Sequence, residues 1–120
     1  MRLTGTGLWS HHLRYGDAGV IAFSGPNVYG AAWYRLFPEA APGFGFVDEE
    51  TPELTIAVVP SHRGHGTGGE LIEALLAQAR ADGFARVSLS AEPGQTGFYE
   101  KHGFQELERE DGTVTMVASL

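Results

Sequence analysis

The sequence predicts a mixed α/β (α+β) fold: a central, mostly antiparallel sheet with helices on its faces. Two observations carry this. Hairpin signatures stand at opposite ends, at Ser24-Gly25-Pro26-Asn27 and at Asp111-Gly112. Between them a β-branched run, a glycine-rich loop, an amphipathic helix and a second apolar run follow in order, which makes one strand–helix–strand crossover. The chain has 120 residues, 42% of them hydrophobic, which suits one core and a single domain over residues 1–120.

The elements follow along the chain. Leu8 to Arg14 allows one or two helical turns. Gly19–Phe23 and Tyr29–Phe37 read as strands of the first hairpin, and Pro38 to Pro52, rich in proline, glycine and acids, as a loop. Leu54–Val59 is a strand stopped by Pro60. Leu71, Ile72, Leu75, Leu76 and Ala79 recur at helical spacing, with Glu70, Glu73, Gln78 and Arg80 on the other face and Gly83 as the cap. Arg86–Ser90 is a strand. Thr96–His102 is a short helix with Thr96 as N-cap and Gly103 as its stop. Phe104–Arg109 and Thr113–Ala118 form the last hairpin.

Composition excludes several classes. A formal charge of −7 argues against a protein that coats nucleic acid, which needs excess Lys and Arg. No apolar run approaches the roughly 18 residues of a membrane span, and Met1-Arg2-Leu3-Thr4-Gly5 starts no signal peptide. With no cysteine there is neither a disulfide framework nor a thiolate nucleophile. A cytoplasmic protein without membrane or nucleic-acid partners is the expectation. His11-His12 and His62/His65 have no ligand-like pairing, so no metal is expected. Acids cluster at Asp48, Glu49, Glu50 and Glu53 and again at Glu106, Glu108, Glu110 and Asp111. These are solvated faces or, at one cluster, an attractor for a cationic amine.

Arg63-Gly64-His65-Gly66-Thr67-Gly68-Gly69 lies between strand and helix. Glycines let backbone N–H groups approach an anion, and the helix they open adds unpaired donors and the positive end of its dipole. Arg63 supplies a permanent charge with a fork matched to phosphate oxygens. The combination is a pyrophosphate cradle. The same glycines match a dinucleotide fingerprint, with Glu92 roughly where a ribose-binding acid belongs. The context is wrong for it: Pro60 to His62 and Arg63 intervene after the strand, only one crossover unit is visible, and the N-terminal half is a hairpin.

Arg63-x-x-Gly66-x-Gly68 after Ile56-Ala57-Val58-Val59-Pro60, together with Phe98-Tyr99-Glu100-Lys101-His102-Gly103-Phe104, resembles the GNAT superfamily of acetyl-CoA-dependent N-acetyltransferases. The resemblance runs from about Gly19 to the C-terminus, with the family's N-terminal strand and helices shortened. It implies acetyl-CoA as co-substrate and a small-molecule or peptide amine as acceptor. Backbone groups of Ile56, Ala57, Val58 and Val59, at a bulge, would hold the pantetheine arm and the acetyl carbonyl. Amides of Arg63, Gly64, His65, Gly66, Thr67 and Gly68 would hold the pyrophosphate. Strands Leu54–Val59 and Arg86–Ser90 would splay to admit the arm. Gln95 or Thr96 would replace a contact usually made by an asparagine, and Tyr99 would assist the departing thiolate.

The amine must be neutral to attack, so a carboxylate base is expected. Glu53, at the start of the fourth family strand, is one candidate, although strand alternation puts it on the same side as Ala57 unless a bulge intervenes. Glu92, past the next strand, is the other, since Ser90 stands where some members carry a glutamate. Two rival readings are a non-catalytic acyl-CoA-binding module and a glyoxalase- or bleomycin-resistance-like protein, whose similar aromatic segment leaves Arg63-x-x-Gly66-x-Gly68 without a role. Trp9, Trp33, Tyr34 and Phe44 suit core, interface or acceptor pocket. With so short an N-terminus, a homodimer anchored by Trp9, Trp33 and Tyr34 is expected.

Overall fold

Alternation along the strands sorts the fully buried apolar residues onto one face of a single sheet. The computed structural model describes residues 2–4, 18–37, 45–64 and 66–120. Among these, the strands are β1 (Arg2–Thr4), β2 (Ala18–Ser24), β3 (Asn27–Arg35), β4 (Glu53–Val58), β5 (Arg86–Ala91), β6 (Gln105–Glu110) and β7 (Thr113–Ser119). The helices are α1 (Thr67–Ala81) and α2 (Thr96–Glu100). The spatial order is β1-β2-β3-β4-β5-β7-β6, antiparallel throughout except for β4 and β5, which α1 connects.

Registered pairs such as Val20↔Ala32, Tyr34↔Leu54 and Leu89↔Met116 place their side chains on the face that α1 covers. The stripe Leu71, Ile72, Leu75, Leu76 and Ala79 is buried against it. Each such leucine stabilises the fold by about 1.5–3 kcal/mol relative to exposure. Gly30 of β3 is a close approach: a Cβ there would lie 2.8 Å from the Ala57 carbonyl and 3.0 Å from Leu71.

Several boundaries differ from the sequence reading for local reasons. The first hairpin turns on two residues, Gly25 at φ +56 and Pro26, so both strands run further into the turn than expected. Thr96 is the first residue of α2, not its N-cap; Gln95 holds that place, and the Thr96 hydroxyl donates to the Pro93 carbonyl at 3.3 Å. β1 is a first strand of three residues, paired with β2. Tyr34 is no interface anchor: it is 1% exposed, its ring packs edge-on to Phe84, and its hydroxyl donates to Asp82. Burial first, then Asp82, raises its pKa well above the usual phenol value. Trp33 is half-buried on the opposite face. Leu8–Arg14, Trp9, His11, His12, Phe44 and His65 lie outside the described residues, as does the side chain of His62. No helix among the described residues is long and apolar enough to cross a membrane.

Candidate active site

The sheet divides between β4 and β5. Only Glu53↔Ser88 is registered between them, supported by the Ser88 amide donating to the Pro52 carbonyl at 3.0 Å. Beyond that pair each strand keeps its outer neighbour, β3 or β7, and the two diverge. Hydrogen-bonding direction alternates along a strand. Since the Pro52 carbonyl points to β5, those of Ile56 and Val58 point into the gap, and Ala57 turns toward β3. The splayed strands expected from the family pattern are therefore present. The bulge is not: register runs unbroken from Arg35↔Glu53 to Gly30↔Val58. The Val59 amide is also unavailable, because it donates to the Tyr29 carbonyl at 2.8 Å.

A cavity of about 770 Å³ follows the gap, bounded by Ile56, Ala57 and Val58 on one side and by Gln95, Phe98 and Tyr99 on the other. The glycine loop closes its end through Arg63, Gly64, Gly66, Gly68 and Gly69. Gly64 and Gly66 have φ of +83 and +82, a conformation that glycine adopts without strain. Gly66 is the N-cap of α1 without a side-chain cap, and the helical ladder begins with the Glu70 amide bonded to its carbonyl. The amides of Thr67, Gly68 and Gly69 therefore precede the ladder, as in any first helical turn. Arg63 contributes differently than expected. Its amide is used on the Pro60 carbonyl at 3.3 Å, and its Nε donates to the Val58 carbonyl at 3.3 Å, which brings the guanidinium to the cavity rim. Thr67 has a buried side chain. This cradle, with open space over Gly64 and Gly66, fits a diphosphate.

A second cavity of about 430 Å³ shares Ile56 and Tyr99 with the first and is lined also by Glu53, Thr55, Ser90 and Thr113. Glu53 faces it although no bulge redirects the strand, because it sits where β4 and β5 part. Its Oε1 accepts from the Gly45 amide at 2.6 Å, while Oε2 is buried with no hydrogen-bond partner. Burial raises the Glu53 pKa, and the Gly45 bond opposes the rise. The paired Ser88 Oγ is likewise buried and unpartnered. Tyr99 is 8% exposed, and burial raises its pKa also. Glu92 is exposed, precedes the turn after β5 and lines neither cavity. No cluster of three potential metal ligands occurs among the described residues.

Sequence reasoning quoted Gly69 and Phe98 within their motifs but gave neither a role in the site, and it missed Gly45. Gly45 lies so close to β5 that a Cβ would meet the Leu89 carbonyl carbon at 2.6 Å and the Ser90 nitrogen at 2.8 Å. Three residues on, Asp48 pairs with Arg86 at 2.6 Å. The segment before β4 thus straps across the root of the split, and nothing local in a proline- and glycine-rich loop announces it.

A family model for the acetyltransferase (GNAT) family matches residues 6–104. YjcF, an uncharacterised N-acetyltransferase of Bacillus subtilis, is 28% identical over 92 residues, which are 77% of this chain and 59% of YjcF. The ribosomal-protein-alanine N-acetyltransferase of Brucella melitensis superposes with a TM-score of 0.74 at 24% identity, covering 94% of this chain and 75% of that one. The PaiA N-acetyltransferase of Thermoplasma acidophilum, solved in complex with coenzyme A, gives 0.70 at 15% identity over 87% of this chain and 61% of its own. The chain thus spans about three fifths of YjcF and of PaiA.

Proposed function

The chain belongs to the acetyltransferase (GNAT) family, and from that premise we propose that it moves acetyl from acetyl-CoA directly to a primary amine, borne by a small molecule or a peptide. The observation that carries this reading is the meeting of two cavities at Ile56 and Tyr99, one ending in an anion cradle and the other in a buried carboxylate.

Acetyl-CoA supplies a thioester whose diphosphate suits the amides at the start of α1 and the Arg63 charge. The backbone groups of Ile56 and Val58 face the gap and are placed to bond the arm and the acetyl oxygen. Glu53, made more basic by burial, takes the proton that the attacking amine gives up. A carbon–nitrogen bond forms, the carbon–sulfur bond breaks, and the sulfur leaves beside Tyr99. Because burial raises the Tyr99 pKa, the phenol keeps its hydrogen and stabilises the leaving sulfur chiefly as a donor. Family membership removes the glyoxalase-like alternative. Tyr99 and Glu53 in one cavity favour a catalyst over a module that only binds.

The test is coenzyme A release with a panel of amines, paired with calorimetry on Tyr99→Phe. Turnover of at least one amine is expected, and the variant should lose about 100-fold in kcat with coenzyme A affinity unchanged. Equal rates in wild type and variant, with chemistry limiting, would reduce Tyr99 to packing. No turnover of any amine despite tight binding would favour the non-catalytic module.

A further inference from the structure

The cradle and Tyr99 belong to different helices, and a set of side-chain contacts joins them. His102, just past α2, meets Glu73 of α1 with Nδ1 2.5 Å from Oε2. Its imidazole lies over the first turn of α1, where a Cβ on Gly69 would stand 3.3 Å from both Cε1 and Nε2. One residue earlier, a Cβ on Gly68 would lie 3.2 Å from the Phe98 ring. Two consecutive glycines thus let one side chain of α2 and one from the turn just beyond it close on α1. Phe98 and His102 are four apart, the spacing that stacks side chains on one face.

The contact continues inward. The His102 ring packs edge-on to Phe98 at 5.3 Å between centroids, and Phe98 packs edge-on to Tyr99 at 5.1 Å. Tyr99 in turn meets Phe104 at 6.0 Å. Gly68, Gly69, Phe98 and Tyr99 all line the larger cavity. One of its walls is therefore a seam between two helices, fastened at its outer edge by a polar pair. His102 is mostly covered there, with a side chain 18% exposed, whereas Glu73 is 57% exposed.

We propose that His102 and Glu73 are positioning residues that clasp α2 to α1, so that the anion cradle and Tyr99 act as one wall. The inference rests on the acetyl-CoA reading of that cavity. His102 touches no reacting atom; it acts through Phe98, and Glu73 acts through His102. A loosened clasp lets α2 swing from the cradle, so co-substrate binding weakens while the Tyr99 hydroxyl itself is intact.

Coenzyme A affinity by calorimetry and the Tyr99 ring resonances by NMR would be compared in wild type, Glu73→Gln, His102→Leu, the double variant and His102→Asn. Glu73→Gln keeps shape at an exposed site, so the fold survives it. Each of the first two single variants should weaken coenzyme A binding roughly tenfold, and the double should be no weaker than either. His102→Asn, which keeps a donor near the Nδ1 position, should recover most of the loss, and the Tyr99 resonances should shift whenever the pair is broken. Singles within about twofold of wild type, or losses that add in the double, would overturn the clasp. Melting temperatures that fall while affinity stays put would also overturn it. A wild type that fails to bind coenzyme A sinks the functional reading instead. The Tyr99 resonances still decide the clasp in that case, for it or, if unmoved, against it.

Discussion

Two glycine-bearing loops flank β4, and they use glycine for opposite reasons. After the strand, Gly64 and Gly66 stand in open space, and their requirement is torsional: φ is positive and no atom lies within 4 Å of where a Cβ would be. Before the strand, Gly45 has an ordinary φ but no room, with Leu89 and Ser90 backbone atoms under 3 Å from that position. The first loop is shaped by its own backbone and faces the proposed co-substrate. The second is shaped by a distant strand and holds the proposed base. One residue type thus marks a local conformation at one end of β4 and a tertiary contact at the other.

Substitutions can sharpen that contrast. Gly66→Asp combines strain at positive φ with a carboxylate facing a diphosphate, so coenzyme A affinity should fall by about 1,000-fold or beyond detection. Calorimetry on protein with an unaltered circular dichroism spectrum measures it; preserved affinity removes the cradle from the site. Gly45→Ala should do the reverse. Its Cβ forces the strap off β5 and lengthens the bond to Glu53, so kcat should drop about tenfold with little change in coenzyme A affinity. Urea unfolding should register about 1–3 kcal/mol of lost stability, as overpacking does. If Gly45→Ala weakens coenzyme A instead, the two loops are not separable.

The smallest effect concerns the strap's second anchor. Burial works against the Asp48 charge, but bonds from Arg86 and Thr51 outweigh it and hold its pKa below the usual range. A carboxylate depressed in the folded state adds stability above its unfolded pKa and loses it as pH falls through the folded one. Both partners are about 40% exposed, so solvent screens the pair and Asp48→Asn should cost under about 1 kcal/mol at neutral pH. The difference from wild type should vanish in acid. Urea midpoints at neutral and acid pH check the sign; a gap that widens in acid contradicts the pairing.

The same contrast explains what was legible in the sequence. The glycine turn before α1, the helix stripe at Leu71 to Ala79 and the Asp111-Gly112 turn are near-neighbour chemistry; the stripe and the last turn stand as read, whereas the Arg63 amide expected in the cradle is bonded to Pro60. Asp111 at φ +49 followed by Gly112 at φ +80 is the left-handed pair that such a turn needs. Glu53 was half legible: its type and strand were read, but its access depends on where β5 peels away, which no local pattern encodes. Gly45 was illegible because its meaning lies in Leu89 and Ser90, over forty residues away. Tyr34 misled because aromatic character cannot tell a core ring bonded to Asp82 from a surface anchor.

The lone Glu53↔Ser88 pair has a further consequence for how the sheet holds together. β1 to β4 form one ladder and β5 to β7 another, joined at the base of the split and bridged by α1. Amide exchange should divide β4 residue by residue, with Thr55 and Ala57 protected by β3 and with Ile56 and Val58 open to solvent. On the proposed acetyl-CoA reading, an arm laid along Ile56 and Val58 would serve as the strand that the fold leaves out and weld two half-sheets into one.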